Sequence, residues 1–434
     1  VTIWTYARVL MIGAALAACD RGFILEGERF PLRAPFSENA GQAPANRAEP
    51  ISLPAQVSNS DWTNRLGLRP AHPALGAAST PVWSVQIGQG ETRRHRITAE
   101  PVSSGGLIYT LDSRARVSAV STNGDIVWTR DLIPASTRNP DSASGGGLAI
   151  GNGMLYVTSA FAVVHALDLR TGNTVWSRDF DALLNAAPTV DGNRLFFVAS
   201  DSTAWSLDAM TGRTDWQVSG APSTSQMVGG AAPKVAGDLV LFPTPAGELL
   251  AIRRDTGQQA WRTVIAGTRI GMGYAALSDI TGDPVVVGNT VYVGNQSGRV
   301  MALDVATGRQ IWRADEAAYG PVWPVGGSLF LMSDRNRVVR LNASDGSFIW
   351  GQPLPLYTQT RERRRVQIFP HYGPVLAGGR LVVGSGDDVI RFFDPVSGAL
   401  TGEVPLRSGA AVAPIVVGGT LYVVSRDGRL TAFR

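Results

Sequence analysis

Residues 283–312, DPVVVGNTVYVGNQSGRVMALDVATGRQIW, decide the fold. An apolar run from Pro284 to Val287 meets a turn at Gly288-Asn289. The alternating run TVYVG (290–294) follows, then a turn at 296–298, a third run RVMALD (299–304), and a Thr307-Gly308 turn into RQIW. Short runs rich in Val, Ile and Tyr, separated by Gly and Asn, predict four antiparallel strands joined as a meander.

The tail of this unit, Ala-apolar-Asp-x-x-Thr-Gly-x-x-x-Trp, recurs along the chain. It stands at Ala166…Asp168…Gly172…Trp176, at Ser206…Asp208…Gly212…Trp216, and at Ala302…Asp304…Gly308…Trp312. A further copy, Ala251…Arg253…Gly257…Trp261, puts Arg253 in the Asp place, so a metal site repeated through that Asp is not implied. Weaker copies end at Trp128 and Trp350, and one at Asp394…Gly398 has no Trp. From Trp128 to Trp350 the tryptophans lie 48, 40, 45, 51 and 38 residues apart. Four strands in a period near 40–50 residues point to a β-propeller.

Eight units start at Pro101, Gly146, Pro188, Pro233, Pro284, Pro321, Pro374 and Pro414. The eighth reaches Arg434 after three strands, whereas Pro81–Ile87 (PVWSVQI) carries Trp83 and has no partners before it. Pairing that stretch with 430–433 closes the ring and removes two open sheet edges. The expected fold is all-β: an eight-bladed propeller of four-stranded antiparallel sheets, closed by an N-terminal outer strand, over 81–434. In each repeat the Gly supplies the positive φ of the turn, the Asp accepts turn N–H groups, and the Trp buries its ring between blades.

Ahead of the repeats, Arg8 precedes the apolar run 9–18 (VLMIGAALAA), which is too short to span a bilayer, and Leu16-Ala17-Ala18-Cys19 follows. Residues 1–18 read as a lipoprotein signal peptide, with Cys19, the single cysteine, as the lipid attachment point. Residues 19–80, rich in Pro, Ala and Arg, read as anchor and flexible tether. Asp20 after the cysteine resembles an inner-membrane retention signal, so the choice between outer and inner membrane stays open.

The Trp-ended repeat resembles the tryptophan-docking repeat of pyrroloquinoline-quinone-type propellers. Together with the lipobox and eight units, the chain resembles the BamB family, lipoproteins of the outer-membrane β-barrel assembly machinery. Asp61-Trp62 and His72 resemble the lead-in that precedes such rings. The resemblance implies a non-catalytic, periplasm-facing, lipid-anchored scaffold that docks to the barrel-forming subunit BamA beside other subunits, with unfolded outer-membrane proteins as possible clients. Two loops carry that implication: 182–188 (ALLNAAP), with Leu183, Leu184 and Asn185, and 269–287, with Asp279 and Thr281. Leu183 and Leu184 match the family's apolar contact positions, while Asn185 and Thr281 depart from the arginine and second acid common there. An exposed apolar pair beside an acidic loop would give a recognition patch with an anchor and an orienting charge.

Little else suggests chemistry. His72, His95, His165 and His371 lack metal-ligand spacing, and no nucleophile elbow or phosphate-binding Gly-Lys-Thr loop occurs. The formal charge of +4 over 434 residues does not ask for nucleic acid. No cofactor, no metal and no enzymatic activity are expected. The rival readings are a quinone-dependent dehydrogenase, with its quinone and Ca²⁺ in the central funnel, and a propeller binding a polymer or small ligand. Two arginine-rich stretches, Arg361-Glu362-Arg363-Arg364-Arg365 and Arg93-Arg94-His95-Arg96, are solvated loops or surfaces for anionic headgroups or an acidic partner.

Overall fold

The computed structural model describes residues 45–65, 72–138, 141, 144–223, 227–265, 267 and 277–434. Cys19, Asp20 and the whole stretch 268–276 lie outside them. Eight four-stranded antiparallel sheets follow in chain order at 102–131, 146–179, 189–219, 234–264, 285–314, 323–353, 371–405 and 415–433. The eighth is completed by Pro81–Gln86, which pairs antiparallel with Arg429–Phe433. The ring is therefore closed by hydrogen bonds between the two ends of the repeat array, as expected. First strands of successive sheets contact one another, so they lie nearest the axis and the Trp-bearing fourth strands lie outermost.

The repeat explains how blades lock together. In blade two, Asp168 Oδ1 accepts the backbone N–H of Thr171 at 2.8 Å and its hydroxyl at 2.7 Å. The same turn recurs at Asp208 and Asp304. The glycine behind it has a second duty besides its positive φ. A Cβ on Gly172 would stand 2.5 Å from the Trp128 ring of the preceding blade, and one on Gly308 would stand 2.4 Å from that of Trp261. The indole thus lies on the bare backbone, and its Nε1–H donates to a carbonyl of the next blade. Seven such bonds, from Trp83, Trp128, Trp176, Trp216, Trp261, Trp312 and Trp350, measure 2.9–3.2 Å. Each indole buries apolar area and satisfies its own donor in one contact.

The eighth joint is built differently. Docking needs the hairpin between the third and fourth strands of the next blade, and in blade eight that hairpin is absent because the two strands come from opposite ends of the array. Blade seven accordingly carries Gly402 opposite Phe392, at the register occupied elsewhere by Trp. The lead-in fills the space: buried Leu75 and Ala78 pack with Phe392, Val404, Leu421 and Phe433. Arg380 lies 4.5 Å over the Phe392 ring and donates to the Gly76 carbonyl.

The described part of the stretch expected as tether is laid against the ring. Arg47 N–H donates to Ile349 of blade six, and Arg340 donates to the Glu49 carbonyl. Asn59 donates to Val416 of blade eight, and Trp62 exchanges backbone bonds with Ser103 of blade one. Asp61 accepts the Gly105 N–H, and His72 Nε2 accepts that of Gly379 while Nδ1–H donates to Pro54. The sequence is poor in aliphatic residues here, yet Trp62 is buried and backbone bonds replace a core of its own.

Candidate functional site

The loops that carry the chain from one outer strand to the next inner strand share one face of the ring. Three of them meet. A Cβ placed on Gly145 would touch Val228 at 2.8 Å and approach Asn185 at 3.9 Å, so the loops after blades one, two and three converge. Met227 in turn donates its backbone N–H to the Asp279 carboxylate, which brings in the loop after blade four. The two stretches that resemblance singled out therefore lie on one rim, connected through 227–230.

Their side chains do not form the expected patch. Leu183 is 44% exposed, and its carbonyl accepts the Ser200 N–H at 2.9 Å. Leu184 is fully buried in the cluster of Met154, Tyr156, Leu195 and Phe197 between blades two and three. The exposed apolar pair is thus one exposed leucine and one core leucine. Asn185 is half-buried. Asp279 and Thr281 are buried as well; the Thr281 hydroxyl donates to Ala318 at 2.7 Å and pins the loop to the ring. Burial pushes Asp279 up to about 6, with backbone N–H groups opposing it, and its Oδ2 has no hydrogen-bond partner among the described residues. Asp279 and Thr281 hold the rim in shape, and among its described residues Leu183 and Val228 are the large apolar side chains that are exposed.

The axis holds a feature that no sequence pattern flagged. Arg65, from the lead-in, donates to Glu100 before blade one and to Asp283 before blade five, each at 3.0 Å, and to the Gly230 carbonyl at 3.1 Å. Blades one and five stand opposite each other in a ring of eight, so one guanidinium bridges the centre. Asp283 also accepts the Ala232 N–H. Burial pushes Glu100 up to about 7 and raises Asp283, while Arg65 pulls both back. A cavity of about 720 Å³ opens beside this bridge, with Trp62, Trp323, Tyr319, Tyr372 and Phe369 in its walls.

A calcium-and-quinone centre does not fit these axial residues. Glu100 and Asp283 are the carboxylates at the bridge, and both are engaged by Arg65. Among the described residues no group of three His, Cys, Asp or Glu side chains is placed to hold a metal. His371 bonds Ser385 and the Pro355 carbonyl, a structural use like that of His72.

Across the same face the character reverses. Between blades six and seven, Tyr357 and Ile368 form a short antiparallel bridge, with Glu362–Arg364 as a single 3-10 turn at the tip. Residues 361–368 are all exposed. Arg93, Arg94 and Arg96 are exposed in the loop before blade one, and Arg96 and the base of the arm both border the cavity.

Sheets, closure and docked tryptophans define an eight-bladed propeller of the quinone-type repeat class. Quinohemoprotein alcohol dehydrogenase from Comamonas testosteroni shares this fold, with a TM-score of 0.61 at 16% identity over 86% of this chain and 80% of that one. The crystal structure of BamB from Moraxella catarrhalis aligns with a TM-score of 0.67 at 20% identity, covering 82% of this chain and 99% of that one. In sequence, the family described as outer membrane protein assembly factor BamB matches residues 113–352 and 361–434, and the chain belongs to that family. Relatives named outer membrane protein assembly factor BamB include those of Alteromonas naphthalenivorans, 26% identical over 88% of this chain and 94% of the relative, and Yersinia pestis, 24% over 82% and 88%.

Proposed function

We propose that this protein is an assembly factor for outer-membrane proteins that works as a scaffold, docking through its blade-two-to-five rim to the barrel-forming subunit of the machinery. The observation that carries this reading is the family match running through nearly the whole ring, blades one to eight, among relatives named as an assembly factor and not as an oxidoreductase. The non-enzymatic reading rests on those names. The ring supplies rigidity, because every joint is filled and its ends are hydrogen-bonded together. On the rim, Leu183 is an exposed apolar anchor supported by a buried neighbour, and half-buried Asn185 is its polar companion. Asp279 and Thr281 act by fixing the adjacent loop. Anchoring through Cys19 to the periplasmic surface of the outer membrane completes the proposal, with the other subunits of the machinery as neighbours.

The test is co-purification from detergent-solubilised envelope. Leu183→Asp with Asn185→Ala alters the presented residues and leaves the buried ones intact, and retention of the barrel subunit is expected to fall sharply. Undiminished retention by a folded variant would remove this rim from the interface.

A further inference from the structure

The arm between blades six and seven is unaccounted for by that docking rim. Its base is bolted down: Asn336 of blade six donates to both the Pro355 and Phe369 carbonyls at 3.2 and 3.1 Å, and His371 of blade seven bonds Pro355 at 2.9 Å. Thr358 N–H to Gln367 and Phe369 N–H to Leu356 carry it outward as a two-rung ladder. Beyond Thr360 every hydrogen bond of the tip is internal, and among the described residues no carboxylate pairs with Arg361, Arg363 or Arg364. Arg365 is held over the Tyr357 ring at 5.3 Å and 3.6 Å from Glu362. Four arginines against one glutamate give the tip three net positive charges. Beside them Val366 is 87% exposed, with Ile368 at 48% and Tyr357 at 41%.

We infer that this arm is a contact for an anionic phospholipid surface. Unpaired guanidinium groups around an exposed aliphatic side chain match an interface where phosphates lie over hydrocarbon. A carboxylate-bearing protein would need its charges fixed in direction, and the projecting tip has no walls to fix them. A headgroup layer supplies phosphate from any direction and accepts Val366 beneath it. Exposed Arg93 and Arg94 lie on the same face and extend the positive field, while Arg96 beside them is paired with Glu91. The inference rests on the membrane location proposed above, but vesicle binding is read without the barrel subunit, so the two can fail separately.

The chain from residue 19 onward with Cys19→Ala, so that neither the apolar run 9–18 nor an acyl chain contributes, is mixed with vesicles of phosphatidylcholine alone or with added phosphatidylglycerol, and sedimented. Binding is expected only to the anionic vesicles and is lost as salt rises. Replacing Arg361, Arg363, Arg364 and Arg365 together by Gln is expected to weaken it roughly ten-fold or more. Val366→Ser weakens it less and leaves the salt dependence unchanged. Equal binding to both vesicle types, or undiminished binding by the folded arginine variant, overturns the inference. So does an arginine variant that keeps vesicle binding but loses the barrel subunit, since the arm would then serve an acidic protein.

Discussion

The two halves of one propeller face handle charge in opposite ways. On the side of blades two to five, the acids of the connecting loops turn inward: Asp283 reaches the axial Arg65, and Asp279 is buried with one oxygen unpartnered among the described residues. On the side of blades six to one, the Glu91 and Glu100 side chains are likewise buried against arginines, but the arginines of the arm turn outward, and the arm shows no buried residue in its 3-10 turn. The fold is the same in both halves, so the difference lies in the loops. Inward charge ties a loop into a fixed shape suited to one partner surface. Outward charge on a short ladder leaves a projection that can meet a surface of no fixed shape.

The largest loss is expected at the axis. Arg65→Met leaves Glu100 and Asp283 buried without their cation and is expected to destabilise the ring by about 3–5 kcal/mol. Denaturant titration at neutral pH measures it, and a loss below about 1 kcal/mol would show the bridge to be unnecessary for the inward half. Next in size is Leu184→Ala, expected to remove about 2–4 kcal/mol by opening a cavity between blades two and three. Leu183→Ala at the adjacent exposed position should cost little stability, and equal effects at both would erase the distinction between anchor and support.

A pH experiment sharpens the inward half further. Asp279 has its folded value raised to about 6 from 3.8, so the folded state holds the proton more tightly than the unfolded chain. Its burden on stability is absent below pH 3.8, grows between there and about 6, and is complete above. Asp279→Asn should therefore stabilise the protein by about 1–3 kcal/mol near pH 7.5 and have little effect near pH 4, as read from melting curves at the two pH values. A pH-independent difference would mean that the carboxylate is ionised without penalty. The smallest effect belongs to the outward half: substituting the four arm arginines by Gln should change stability by less than about 0.5 kcal/mol, because they are solvated and Arg365 alone has an ion-pair partner. A larger loss would mean that the arm supports the ring.

Much of the architecture was legible because a repeat states its rules several times over. The spacing of Trp128 to Trp350 gave the blade period, the incomplete final unit and the stray strand at Trp83 gave the closure, and the Asp, Gly and Trp roles follow from turn and packing physics. The missing Trp of the seventh unit was visible too, but its reason was not. Gly402 and the filling by Leu75 and Ala78 make sense only once the hairpin of blade eight is seen to be replaced by the two ends of the array. The site was less legible. Leu183 and Leu184 are neighbours of identical chemistry, and only their packing separates an exposed anchor from a core residue.

By itself the sequence determined that the chain repeats, how many sheets it builds and where they start, since strand period and turn chemistry are local properties written every few residues. The tertiary structure alone decided that Arg65 bridges opposite blades, that part of the supposed tether is laid on the ring, and that the acids of one rim are buried while arginines of the other project. Those outcomes depend on closure of the ring, which brings together residues as far apart as Arg65 and Asp283, and no local pattern encodes a distance of that kind.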